Sequence, residues 1–222
     1  SALLGGLVAA CFSLNLTAAK IGDVAAPLVI KDWIKGAEVD VRDGKNVYVV
    51  EFWATWCPPC RTSIPHLTEL QKKFKDQSVV VVGISDEPAS KVKPFVAKMG
   101  DQMDYRVACD NERKSSAAYM KAYGQGGIPT AFIVGKAGKV LWFGHPMAAL
   151  ESTLKKVVEG NYDLEAAMKA DEVRAALSDY EKLVKEGDAG AKAAGREVLA
   201  LAAGDADSLM QLAMGIVGGR GG

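Results

Sequence analysis

The stretch Val47-Tyr48-Val49-Val50-Glu51-Phe52-Trp53-Ala54-Thr55-Trp56-Cys57-Pro58-Pro59-Cys60-Arg61 admits few folds. Val47 to Val50 form a continuous apolar, largely β-branched run, the pattern of a strand covered on both faces. Cys57 then stands where a helix is expected to begin, with Pro58 and Pro59 just inside it. Proline is tolerated there because first-turn N–H groups lack intrahelical acceptors and its φ is already helical. A buried strand, a short turn and a helix opening on a cysteine pair place the chain in the α/β class.

That placement decides the chemistry. A thiolate attacks disulfides, and a free cysteine, titrating at about 8.5, is mostly protonated at neutral pH. Unpaired N–H groups and the positive end of the helix dipole favour an anion at Cys57. Cysteines in Cys-x-x-Cys settings titrate at about 3.5–7.5; a shift of two units is roughly 2.7 kcal/mol of preference for the thiolate. Intrinsic nucleophilicity falls as the pKa falls, so the best attacking thiol titrates close to ambient pH. Cys60, one turn along, is positioned to resolve a mixed disulfide.

Trp53 through Arg61 resembles the active site of thioredoxin-fold proteins, specifically the extracytoplasmic TlpA/ResA-like thiol–disulfide oxidoreductases of bacteria. The resemblance runs from about residue 21 to about residue 162. Pro65 matches the proline that kinks the active-site helix. Gly127-Ile128-Pro129-Thr130 matches the loop whose cis-proline faces the cysteines, and Glu51 occupies the position of the buried acid of thioredoxins. The resemblance implies a central mixed sheet flanked by helices and a redox-active Cys57–Cys60 disulfide with no further cofactor. It makes Glu51 a proton acceptor for Cys60. Pro129 leaves the Ile128 backbone free to pair with an extended substrate and keeps metal from the thiols. Trp56, Pro58, Pro59, Ile128 and Thr130 are the expected substrate contacts.

The rest of the chain is assigned around this unit. The 222 residues are 49% hydrophobic with a formal net charge of zero, enough for one main core and a small appendage. Balanced charge gives no basis for nucleic-acid binding. Residues 1–19 are expected to be an export or anchor segment, because the apolar stretch Ala2 to Phe12 has the length of a signal-peptide core. Val8-Ala9-Ala10-Cys11 resembles a lipobox, whose lipidated cysteine would be a membrane tether. Residues 20–162 form the expected thioredoxin-like domain, opening with a β-hairpin built from Ala26–Ile30 and Glu38–Val41. A buried strand at Val79–Ile84 and a short one at Tyr105–Ala108 follow, interleaved with helices, and Thr130–Val134 with Val140–Phe143 is expected to form an antiparallel hairpin. From residue 163 alanine dominates, and three helical segments (163–186, 190–203, 205–217) make a small appendage expected to dock on the domain or on a partner. Residues 218–222 are expected to be a disordered tail.

Each feature has a plainer counterpart. Cys57 and Cys60 as half of a zinc site would need a second pair, and Cys11, Cys109, His66 and His145 do not form one. Glu51 as a surface acid is opposed by the apolar run around it, where burial would raise its pKa. Trp53 is expected in the core, and Cys109 as a small buried hydrophobe. A peroxidase of the related peroxiredoxin type is expected to carry Thr-x-x-Cys, which Thr55-Trp56-Cys57 does not provide. A copper-handling or scaffold module, with the dithiol ligating Cu(I), is the alternative to the enzyme. Pro58-Pro59 lacks the histidine of strong oxidants and leans toward reduction of extracytoplasmic (periplasmic) protein disulfides. Electrons would then come from a membrane thiol donor.

Overall fold

The computed structural model describes residues 18–203. Its organising strand, β2 (Val47–Trp53), is buried at every position, as its unbroken apolar pattern predicts. Parallel to it runs β3 (Val79–Ser85), with Glu51 opposite Gly83 and Trp53 opposite Ser85. On its other side β5 (Thr130–Val134) is antiparallel, with Phe52 opposite Thr130. Outside these lie β4 (Arg106–Asp110), parallel to β3, and β6 (Val140–Gly144), antiparallel to β5. Adding β1 (Ile30–Lys35), the six strands lie in the order β1-β4-β3-β2-β5-β6.

Alternation along β2 sends Val47, Val49, Glu51 and Trp53 to one face and Tyr48, Val50 and Phe52 to the other. The first face is covered by α1 (Pro58–Lys73), α2 (Ala89–Met99) and α4 (Leu150–Val158), through Ile64, Leu67, Val92 and Leu154 among others. The second is covered by α3, which starts at Lys114–Ser116 and continues as a π-helical turn over Ala117–Lys121. Phe132 is its centre, with Phe52, Tyr119, Tyr123 and Phe143 around it at centroid distances of 5.2–5.9 Å. Such a two-faced core is the expected mixed sheet flanked by helices.

The expected N-terminal β-hairpin does not form. Neither Ala26–Ile30 nor Glu38–Val41 pairs as proposed; the strand is the segment between them, Ile30–Lys35, and its partner is β4. The open edge of β4 supplied a longer partner than a local hairpin, and charged Lys31, Asp32 and Lys35 suit an edge strand. Val29 is already tied elsewhere, its N–H donating to Ser115 Oγ at 2.8 Å and its carbonyl accepting from Asn111 N at 3.0 Å. Ahead of β1 the chain meets the sheet at one bridge, Val24 with Lys139.

Beyond residue 163, α5 (Leu164–Glu186) lays Leu164, Ala167 and Met168 against the second face, and α6 (Ala191–Ala202) packs on α5 through Val198 and Ala202 against Val173. Most of the expected export or anchor segment, Cys11, the third helical segment and the tail lie outside the described residues.

Candidate active site

The turn between β2 and α1 carries the site. Cys57 is the N-cap of α1, with extended φ −86° and ψ 108°, and its Sγ accepts from Cys60 N at 3.2 Å. A sulfur therefore occupies the acceptor position that Ser or Asp fills at other helix starts. Pro58 and Pro59 follow as the first two helical residues. Cys57 and Cys60 are joined as a disulfide with Sγ–Sγ 2.09 Å and Cα–Cα 5.3 Å. Cys57 keeps 2% of its surface and Cys60 none, so an incoming sulfur meets Cys57 first.

Across from the pair lies the loop before β5, where the Ile128–Pro129 bond is cis. Cys57 Sγ lies 3.7 Å from Ile128 O. Pro129 is buried and Ile128 half-buried. Thr130 is 5% exposed and donates its hydroxyl to Gly127 O at 2.7 Å, closing the loop from inside. Trp56 is 66% exposed, and Pro58 and Pro59 are exposed beside it. Between Trp56 and the loop opens a cleft of about 250 Å³, floored by Phe52, Ile84 and Met120. The structure thus brings Cys57, Cys60, Trp56, Ile128 and Pro129 together.

Glu51 is fully buried, and its Oε1 accepts from Ser63 Oγ at 2.7 Å. Ser63 is on α1, one turn past Cys60, and its Oγ is also 3.0 Å from Cys60 O. Burial pushes the Glu51 carboxyl up to about 8, against the hydrogen bond from Ser63 and the nearby Tyr105 hydroxyl, which favour the anion. Burial, with the charge of Glu51 beside it, holds Tyr105 protonated well above the ordinary tyrosine range.

Sequence reasoning missed several supports of the turn. Glu87, 8% exposed, accepts from Thr55 N at 2.6 Å and Thr55 Oγ1 at 3.0 Å. Arg61 donates to the Thr55 carbonyl from Nε at 3.2 Å and Nη2 at 2.7 Å. Thr55 is thereby held on both sides. Glu87 follows the carboxyl end of β3, next to the carboxyl end of β2; the tendency of α/β sites to gather at strand C-termini was the signal that would have found it. Ser63 had only its one-turn spacing from Cys60 to mark it. Cys109 is free, buried on β4 and raised to about 11 by burial and the nearby Asp32 carboxylate, partly opposed by Lys93.

The sequence profile of the AhpC/TSA family matches residues 21–143. The chain is 35% identical over 125 residues to the thiol-disulfide oxidoreductase ResA of Bacillus anthracis, covering 55% of this chain and 68% of that protein. It is 32% identical over 142 residues to ResA of Geobacillus thermodenitrificans, covering 63% and 77%. Among solved structures, a thiol:disulfide interchange protein from a Bacteroides species superposes with a TM-score of 0.54 at 25% identity, covering 65% of this chain and 93% of that one. The thioredoxin domain of a thiol-disulfide oxidoreductase from Bacteroides vulgatus, at 24% identity and TM-score 0.54, shares the fold over 63% of this chain and 99% of its own.

Proposed function

The chain belongs to the AhpC/TSA family of thioredoxin-like proteins and is a thiol–disulfide oxidoreductase; from that premise we propose that it reduces protein disulfides outside the cytoplasm. The observation that carries this reading is the Cys57 sulfur capping α1 while lying 3.7 Å from the carbonyl of the cis-proline loop. A helix N-terminus lowers the energy of a thiolate at Cys57, and the loop beside it offers backbone to an extended segment.

The oxidised pair in the structure is then the product state. In the forward direction, Cys57 thiolate attacks one sulfur of the substrate disulfide, forming a mixed disulfide and releasing the first substrate thiolate. Cys60, giving its proton to Glu51, attacks Cys57 Sγ; the Cys57–Cys60 bond forms and the second substrate thiolate leaves. Two electrons pass to the substrate, and the dithiol itself is the redox group. Glu51 suits the role of acceptor because burial brings it to about 8, close to an ordinary thiol. Trp56, Pro58, Pro59 and Ile128 form the surface met by the substrate, while Thr130 and Pro129 hold the loop that presents Ile128.

A membrane-bound thiol donor would return the dithiol to its reduced form, since an oxidising compartment does not do so. An export or anchor segment over residues 1–19, as the sequence pattern suggests, would carry the domain to that compartment. Redox titration of Cys57–Cys60 against glutathione tests the direction. A potential near or below about −270 mV, the thioredoxin value, is expected, whereas one near about −120 mV would make the protein an oxidant and end the reductase reading. Cys60→Ser protein should accumulate mixed disulfides through Cys57 with its physiological substrates, and their identity would settle the compartment.

A further inference from the structure

The cleft between Trp56 and the cis-proline loop continues past its floor. A second cavity of about 390 Å³ adjoins it, and the two share Arg113, Ser116, Met120, Gln125 and Gly126 as a common wall. The inner cavity starts at the disulfide: Trp56 precedes Cys57 in the chain, and the Ile128 carbonyl is 3.7 Å from Cys57 Sγ. The outer cavity meets neither Trp56 nor Ile128 and is completed by Ala117, Lys121 and Gly124. A groove therefore leads from the sulfur pair, over the apolar floor of Phe52, Ile84 and Met120, to a second basin.

Charge is spread unevenly along this groove. Asp86 lines only the inner cavity, Lys121 only the outer one, and Arg113 both; no carboxylate lines the outer cavity. Lys121 is exposed and makes no ion pair among the described residues. Arg113 meets Asp86 at 3.4 Å but keeps 73% of its side chain exposed. Such open pairs are weak and exchange for another carboxylate at little cost. Glu112 is already taken by Lys114 at 2.9 Å.

The backbone holds Arg113 in place. Its φ is +61° and that of Glu112 is +54°, the left-handed region where a Cβ is crowded. The turn is fixed from within, because the buried Asp110 carboxylate accepts from Ser115 N at 2.9 Å and Ser116 N at 2.7 Å. The Arg113 carbonyl also accepts from Ala117 N at 2.8 Å. Glycine would adopt this conformation without strain, so what arginine contributes at 113 is its side chain.

We propose that the two cavities form one groove for an extended peptide segment, with a large apolar residue beside the cysteine over the Phe52–Ile84–Met120 floor and an acidic residue beyond it against Arg113 and Lys121. An apolar anchor in a pocket supplies affinity, and the charges at the rim select the partner. An extended chain advances about 3.3 Å per residue, so the acid follows the cysteine within a few residues.

That this segment is a substrate rests on the reductase reading above; the binding preference does not. Peptides with serine in place of cysteine cannot react, so their affinity for the oxidised protein reports the groove alone. Each carries phenylalanine beside the serine and glutamate, or lysine in its counterpart, two or three residues away on either side. In nuclear magnetic resonance titrations the best glutamate peptide should bind about fivefold tighter than its lysine counterpart, with shifts at the Trp56 indole and the Gly126 and Gly127 amides. Added salt should shrink the ratio. Arg113→Gly, which suits the left-handed turn, and Lys121→Gln should each lower it and together bring it to about one. Equal affinities in the parent protein, a ratio unmoved in the double variant, or shifts confined to other surfaces overturn the groove. The cysteine forms of the same peptides, oxidised to disulfides, test the reading beneath it. Preferential binding without reduction by the dithiol protein keeps the groove and ends the reductase reading. Reduction of both peptides at equal rates, with equal affinities, keeps the reductase and rejects the groove.

Discussion

Glu51 is a carboxyl placed where water cannot reach it, and that has a measurable price in stability. Its ordinary value is 4.5 and its value in the fold is about 8. Between those limits the unfolded chain has released the proton that the folded chain still binds. The folded pKa is raised, so the stability linked to this proton is complete below pH 4.5 and is lost as the pH climbs through about 8. Urea unfolding of oxidised protein should show the free energy falling across this window with a slope of up to about 1.4 kcal/mol per pH unit. Glu51→Gln should abolish that slope, be more stable than the parent at pH 8 by on the order of a few kcal/mol, and slow the resolution step. Cys109 gives a contrasting case. Buried and raised to about 11, it holds its proton at neutral pH, so iodoacetamide treatment of reduced native protein at pH 7 should alkylate Cys57 and spare Cys109. Comparable labelling of both would show that Cys109 is accessible and reactive.

At the scale of elements, the unit from β2 through α1 was legible because each signal in it is local. The apolar run marks a strand covered on both sides, the proline pair marks a first helical turn, and the cysteine spacing places both sulfurs on that turn. Its supports were not legible, because Glu87 reaches Thr55 across 32 residues and Ser63 reaches Glu51 across 12. Glu87→Ala leaves the Thr55 amide and hydroxyl without their acceptor, at a cost of about 1–3 kcal/mol. The expected result is a lower unfolding temperature and a reduced kcat/KM for disulfide reduction, with Glu87→Gln intermediate. Activity equal to the parent would show that Thr55 needs no anchor. The failed hairpin teaches the converse. Ala26–Ile30 and Glu38–Val41 carry strand-like composition, yet pairing is a choice among distant edges, and the edge of β4 was on offer.

For the whole molecule, the question is how the helices after residue 163 relate to the redox domain. The first half of α5 lies on the sheet. Asp171, 6% exposed, accepts from Ile21 N at 2.8 Å and is paired with Arg174, whose guanidinium sits 4.1 Å from the centre of the Phe143 ring. Met168 packs where a side chain on Gly22 would be, 2.8 Å from the notional Cβ, and Gly22 has φ +94°. Asp171→Ala removes the acceptor of a buried N–H and the partner of Arg174. We expect a loss of about 1–3 kcal/mol with the Cys57–Cys60 potential unchanged, measured by urea unfolding and redox titration. Unchanged stability would mean that this contact does not hold α5 to the domain. Sequence composition marked α5 and α6 as helices to within a residue or two, but their apolar stripes did not say against what they pack.

The sequence by itself determined the strand–turn–helix unit, the sulfur pair at the helix mouth, and through them the fold class and the chemistry. Those features depend on backbone preference, hydrophobic pattern and residues that are neighbours along the chain. Only the tertiary structure decided which edge β1 completes, which distant side chains clamp Thr55, and that Trp53 and Tyr105 pack over Gly83. Burial and pairing between distant segments are properties of the packed whole, where desolvation and register select among partners that no local spacing distinguishes.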